Sequence, residues 1–210
     1  MADDFAIPQL VDYLNRMGLC IANIDQDQEI IELAFRGDNG QWRLIVHIQQ
    51  SEEIRKLMFI VPHFGTIATK KRLQCLEALL AANYCIPMGK FGIDLEDGEV
   101  RLEEVIPLTP SGIAEDQFQF VFSTMMQTAA MYHSLIPRII YGDLTTQQAL
   151  EACEEDFIQE IENLQELNDS TGEFKVTQSL SETIKPPELD VQDVLAEVKR
   201  LLGESWDSKE

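Results

Sequence analysis

The sequence predicts an α+β domain: an antiparallel five-stranded sheet with helices packed on one face, in the order α-β-β-β-α-β-β-α, followed by a C-terminal helical extension. Three observations predict it. Five short segments alternate apolar with polar residues, the period of a half-buried strand. Three longer segments place apolar residues three and four apart, the period of an amphipathic helix. Turn signals, "GDNG" at 37–40 and "EDGE" at 96–99, join neighbouring alternating segments.

The first helix is "FAIPQLVDYLNRMGL", where Ile7, Leu10, Val11, Leu14 and Met17 share a face and Gly18 ends the run. In "EIIELAFR", Ile31, Leu33 and Phe35 alternate with Glu32, Ala34 and Arg36. "QWRLIVHIQQ" carries Trp42, Leu44, Val46 and Ile48 on one side, and "IRKLMFIVP" carries Leu57, Phe59 and Val61. These three segments read as an antiparallel meander. A second helix covers 67–85, with Leu73, Leu76, Ala78, Leu79 and Leu80 as its apolar stripe and Lys70, Lys71 and Arg72 crowding its first turns. Cations there oppose the helix dipole. "GKFGIDLEDGEVRLEEVIPL" at 89–108 reads as a hairpin with one wet and one dry face. A long helix over 114–141 supplies the cover, through Phe118, Val121, Phe122, Met125, Met126, Ala129, Tyr132, Leu135 and Ile136. Pro137 removes a helical hydrogen bond, so it kinks or ends that helix. Thr145 or Thr146 caps a further helix that runs to Leu167.

Charge divides the chain. Residues 1–144 hold 20 acidic and 11 basic side chains, and residues 145–210 hold 17 and 5. The reading is therefore a body at 1–144, an acidic helical extension at 145–167, a Ser/Thr-rich linker at 168–189 ending in Pro-Pro, and a C-terminal amphipathic helix and tail at 190–210. In that last helix Val191, Val194, Leu195, Val198, Leu201 and Leu202 share one face, with Asp190 as N-cap. An isolated helix so short is marginal in water, so it docks, on its own body or on another protein.

The formal net charge of -21 argues against nucleic acid and anionic membranes and suits a protein or peptide partner, a basic one above all. Cys20, Cys75, Cys85 and Cys153 form no CxxC pair and match no zinc spacing; they read as reduced thiols of a cytoplasmic protein. The N-terminus lacks the basic and apolar regions of a secretory signal, and no stretch reaches the ~20 apolar residues of a membrane span.

Chemistry finds little support. His47, His63 and His133 belong to different elements and share no motif spacing. "DQDQE" at 25–29 has Ile30 where a calcium loop needs glycine. "GKFG" at 89–92 lacks the Gly-Lys-Ser/Thr of a phosphate loop and leads into a strand. Glu96–Asp97 and Glu103–Glu104 sit at wet hairpin positions. No GxSxG elbow is present. The expectation is no catalytic residue, no metal and no cofactor. Lys70, Lys71 and Arg72 read as a solubilising helix face, or as a grip for an acidic peptide.

The order helix, three strands, helix, two strands, helix, with "PMGKFGIDLEDGEVRLEEVIPL" as its most specific part, resembles the YbjN family, which shares the type III secretion chaperone-like fold. The resemblance spans residues 5–141 and implies a sheet with helices on one side, dimers in the wider fold, and a binding or regulatory role. The acidic tail after residue 144 departs from it. The expected function is a non-enzymatic interaction module, chaperone-like or a regulatory adaptor, paired as a homodimer. It would bind a partner polypeptide through the sheet or the long helix, at Phe118, Phe122, Met125 and Met126, and through the six apolar residues of the C-terminal stripe. The alternative is a small-ligand sensor or enzyme with a site between sheet and helices; a third reading has the tail merely capping its own core.

Overall fold

The computed structural model describes residues 5–37, 40–51, 54–67, 69–109, 111–170 and 189–190. Helix α1 (Ile7–Arg16) buries Ile7, Leu10 and Leu14. Gly18, at φ +71°, closes it: the Leu19 N–H donates to the Leu14 carbonyl at 3.0 Å and the Gly18 N–H to that of Asn15 at 3.0 Å. This is the left-handed stop that glycine adopts at least cost.

Four strands follow: β1 (Ile21–Asp25), β2 (Ile30–Gly37), β3 (Gly40–Gln50) and β4 (Arg55–Thr66). After a short 3-10 turn at Thr69–Lys71 comes α2 (Arg72–Cys85), then β5 (Lys90–Ile93) and β6 (Glu99–Pro107). Three helices complete the body: α3 (Glu115–Tyr132), α4 (Leu135–Ile140) and α5 (Thr146–Ser170). Leu189–Asp190 form β7, a two-residue strand pairing in parallel with Phe35 and Arg36 of β2. The main sheet order is β1-β2-β3-β4-β6-β5, all antiparallel.

The sheet thus has six strands on its main path, not five, and a four-stranded meander opens it. The added strand is "IANID". A register shift between Ile21 and Asn23 breaks its alternation, which is why the periodicity missed it. The "DQDQE" loop is the β1–β2 turn, where Asp25 Oδ1 accepts the Gln28 N–H at 3.0 Å.

One face of the sheet is dry. Leu33, Phe35, Leu44, Val46, Leu57, Phe59, Val100 and Leu102 are buried there. Helix α3 lies over β4 and β6, with Phe118 5.4 Å from the Phe59 ring and Phe122 6.3 Å from the Phe35 ring. Tyr13 of α1 stacks on the far side of Phe118 at 5.6 Å. Gly89, at φ +76°, brings the β5 entry so close to α3 that an added Cβ would sit 2.6 Å from Met125 Sδ.

The long helix expected over 114–141 breaks at His133–Ser134, one turn before Pro137. Proline lacks the N–H that would bond the His133 carbonyl, and its ring crowds that same carbonyl. Thr145 caps α5: its Oγ1 accepts the Gln148 N–H at 3.3 Å, and Gln148 Oε1 accepts the Thr145 N–H at 3.1 Å. Through Ala149, Cys153 and Phe157, one turn apart and buried, α5 packs against α2, α3 and α4. The acidic extension is therefore bonded into the body.

At the β5 edge the Asn83 side chain of α2 acts as a strand partner. Its Oδ1 accepts the Phe91 N–H at 2.8 Å and its Nδ2 donates to the Phe91 carbonyl at 3.1 Å. Lys90 Nζ donates to the Asn83 and Ile86 carbonyls at 3.1 and 3.2 Å, binding the open end of α2 to the same strand.

Phe118 joins α1, α3 and β4, so Phe118→Ala should lower the unfolding free energy by about 3–5 kcal/mol, read from urea denaturation. Loss below about 1 kcal/mol would show that α3 does not anchor the core.

Candidate interaction site

Helix α2 has more apolar residues than one buried face can use. Cys75, Ala78, Leu79 and Ala82 face the core. Leu73, Leu80 and Tyr84 point away, 80%, 72% and 92% exposed. At seven and eleven residues apart these three stack along one side of the helix. The stripe read from the sequence therefore splits, with Leu73 and Leu80 outside and small Cys and Ala side chains inside. Small residues let the helix sit close to its neighbours. Leu95, expected in a strand, stands in the β5–β6 turn at 70% exposure. It adjoins the start of α2, where an Arg72 guanidinium N–H donates to its carbonyl at 3.3 Å. Three large apolar side chains thus form one exposed row on α2, with a fourth exposed apolar side chain in the neighbouring turn, the kind of surface that marks an interaction site.

The second surface is the opposite face of the sheet. Register places Ile30, His47, Met58 and Val105 in one cross-strand row and Glu32, Ile45, Ile60 and Glu103 in the next. All are half-buried except Val105, which is 39% exposed. The five apolar members stand apart from the core cluster beneath the sheet. Charges frame them: Arg43 pairs with Glu32, and Arg101 Nε lies 3.0 Å from Glu103 Oε2.

Phe118, Phe122, Met125 and Met126, expected to meet a partner, are inside the core at no more than 2% exposure, because the sheet and the surrounding helices cover that side of α3, while Phe120 on its flank stays exposed. Val191, Val194, Leu195, Val198, Leu201 and Leu202 lie outside the described residues. The basic cluster is partly engaged: Lys71 Nζ donates to Asp143 Oδ1 at 2.5 Å, which holds that carboxyl below its ordinary range. The histidines do not converge. His47 is on the open sheet face, His63 sits in a β4 irregularity with Nδ1 2.9 Å from Glu99, and His133 stacks 5.7 Å from Trp42. Among the described residues no group of three or more His, Cys, Asp or Glu side chains could hold a metal ion, and no helix is long and apolar enough to cross a membrane.

Two recesses among the described residues bear on this question. One, of about 400 Å³, is open and polar beside the β5–β6 hairpin, lined by Asp94, Glu99, Arg101 and Glu103 among others. The other, of about 340 Å³, is more apolar and opens between the end of α2, α3 and α5, lined by Cys85, Ile86, Thr128, Met131, Tyr132 and Glu154 among others. It lies between helices, not between sheet and helices. Its phenol, that of Tyr132, resists ionisation. Burial, then the charge and hydrogen bond of Glu154, raise the Tyr132 phenol, whose hydroxyl donates to Glu154 Oε1 at 3.2 Å. Burial likewise raises the thiols of Cys75 and Cys153, with a weak opposing effect from Ser134 at Cys153. All four cysteines are free: Cys75 and Cys153 are buried, Cys20 is half-buried and Cys85 is exposed.

Comparison with known proteins gives a family match over residues 9–136, more than half of the chain, to YbjN, described as "Putative bacterial sensory transduction regulator". Comparison with curated proteins finds no match. Two solved structures are similar. One is "Crystal structure of YbjN, a putative transcription regulator from E. coli", at 14% identity and TM-score 0.45, covering 60% of this chain and 86% of that one. The other is the ExsC–ExsE complex, at 17% identity and TM-score 0.42, covering 62% of this chain and 92% of that one.

Folded Tyr132, Cys75 and Cys153 keep protons that the unfolded chain releases in the ordinary thiol and phenol ranges, near 9 and 10. Stability should therefore be full below about pH 8 and fall as pH rises further. Urea midpoints across that range measure it, and Tyr132→Phe should flatten the decline above about pH 10. A midpoint that stays level would contradict this account.

Proposed function

Because the chain belongs to the YbjN family, we propose that it is a non-catalytic protein-binding module, chaperone-like or regulatory, that works as a homodimer. The observation that carries the reading is the exposed row of Leu73, Leu80 and Tyr84. A helix of 14 residues, about 21 Å long, presents it as a rigid ridge. A two-fold axis beside α2 would lay the same ridge on both subunits, so a single stripe covers itself. Burying a leucine is worth about 1.5–3 kcal/mol before the costs of association.

Pairing through α2 leaves the open sheet face for a partner polypeptide. Its Ile and Met residues provide the contact area, and the Glu and Arg residues on its rim provide selectivity. The net charge of -21 supports a protein or peptide partner, particularly a basic one, over nucleic acid or an anionic membrane. Four free cysteines fit a reducing cytoplasm.

A second reading, a small-ligand sensor, is favoured by the recess between α2, α3 and α5, where apolar walls meet the Tyr132–Glu154 pair.

Leu80→Glu and Tyr84→Glu should each leave the circular dichroism spectrum intact and halve the particle mass in light scattering. A wild-type chain already monomeric at high concentration, or variants that remain paired, would overturn the α2 interface.

A further inference from the structure

The geometry points to residues 191–202 of this same chain as the occupant of the open sheet face. Three independent observations lead there. The first is where the segment starts. Leu189 and Asp190 pair with Phe35 and Arg36, at the free edge of β2 beyond β1. Residue 191 is thereby tethered at the margin of that face, and a short tether gives an effective concentration in the millimolar range. Weak apolar contact is then enough to populate the docked state.

The second is pattern. Val191, Val194, Leu195, Val198, Leu201 and Leu202 recur at three and four, which gives one apolar stripe in a helix and none in a strand. A helix of this length needs a surface to form on. The buried core under the sheet is already filled by α3, so its inner face has no room. Among the described residues, Ile45, Met58 and Ile60 on the outer face lie outside the core cluster.

The third is size and charge. Twelve helical residues run about 18 Å. The four strands β2, β3, β4 and β6 span about 14 Å at the usual spacing. A helix that starts beside Arg36 at the β2 margin and runs obliquely back across the strands would cross Ile45 and Ile60 and reach Met58 with its last side chains. With that polarity Asp193 and Glu197 approach Arg43, while Lys199 and Arg200 approach Glu103. At each end the helix would share an opposite charge that already pairs on the sheet, Arg43 with Glu32 and Glu103 with Arg101. This docking stands whether or not a partner uses the face; where one does, the segment is its built-in competitor.

Met58 is the probe. In the full chain, methionine oxidation by dilute peroxide, read by peptide mass spectrometry, should modify Met58 several-fold more slowly than in a full-length V194D/L195D/V198D variant. Met17 on α1 is the internal control and should not differ. Cys153 should stay unreactive towards thiol reagents in the variant, which shows that the body is folded. A conservative V194I/L195M/V198I chain should keep Met58 protected. Protection should survive dilution and persist in Leu80→Glu, so failure of the α2 dimer and failure of this docking are told apart. Equal Met58 rates in native and aspartate chains would overturn the inference, because the face is then bare. Protection that fades on dilution would overturn it too, with a second copy as the cover.

Discussion

The seating of Phe118 and Phe122 of α3 against Phe59 and Phe35 is the contact on which the other layers rest. Aromatic rings bury large areas and hold defined tilts, so two such pairs fix both the position and the direction of the helix over the sheet. Tyr13 of α1 is placed by Phe118, and its hydroxyl reaches the Ile113 carbonyl at 3.1 Å, just before α3 begins. Tyr132, at the other end of the helix, meets Phe91 edge-on at 6.1 Å. Helix α1 and strands β2, β4 and β5 are thus each met by a ring on this one helix.

That arrangement explains which parts of the molecule are free to meet others. A helix with an apolar arc as wide as that of α3 could have been shared between a sheet and a partner. Instead α1 and α5 pack against it, and even Ser123, Thr124 and Thr128 are buried. Surplus apolar surface sits on α2 and on the back of the sheet, among other places, and these two faces are of unlike character. One is a convex ridge of strongly exposed side chains. The other is a flat field of half-buried ones with charged margins.

Much of the fold was legible in the residues themselves. Alternation located β2 to β6, helical spacing located α1, α3 and α5, and Gly18 and Thr145 acted at the helix ends as their chemistry requires. Two things were not legible, for separate reasons. Strand β1 carries Ile21 and Ile24 out of phase because of its register shift, so a period-two test fails on it. The stripe of α2 is apolar on both sides, and periodicity cannot say which side of such a helix faces inward. Width misled in the same way for α3: an arc broader than one sheet face needs was filled by other helices of the same chain, a matter of tertiary packing that local spacing does not record. The candidate interaction residues on α3 were lost for that reason, and those on α2 were found only once burial was known.

Asn83 closes the β5 margin by imitating a neighbouring strand at Phe91, while the β1 margin carries no such block among the described residues. Growth of the sheet is therefore one-ended. Two molecules could join β1 to β1 and would then present only sealed borders, which gives a finite pair. End-to-end polymerisation needs two receptive borders per molecule, and a single amide side chain denies it the second.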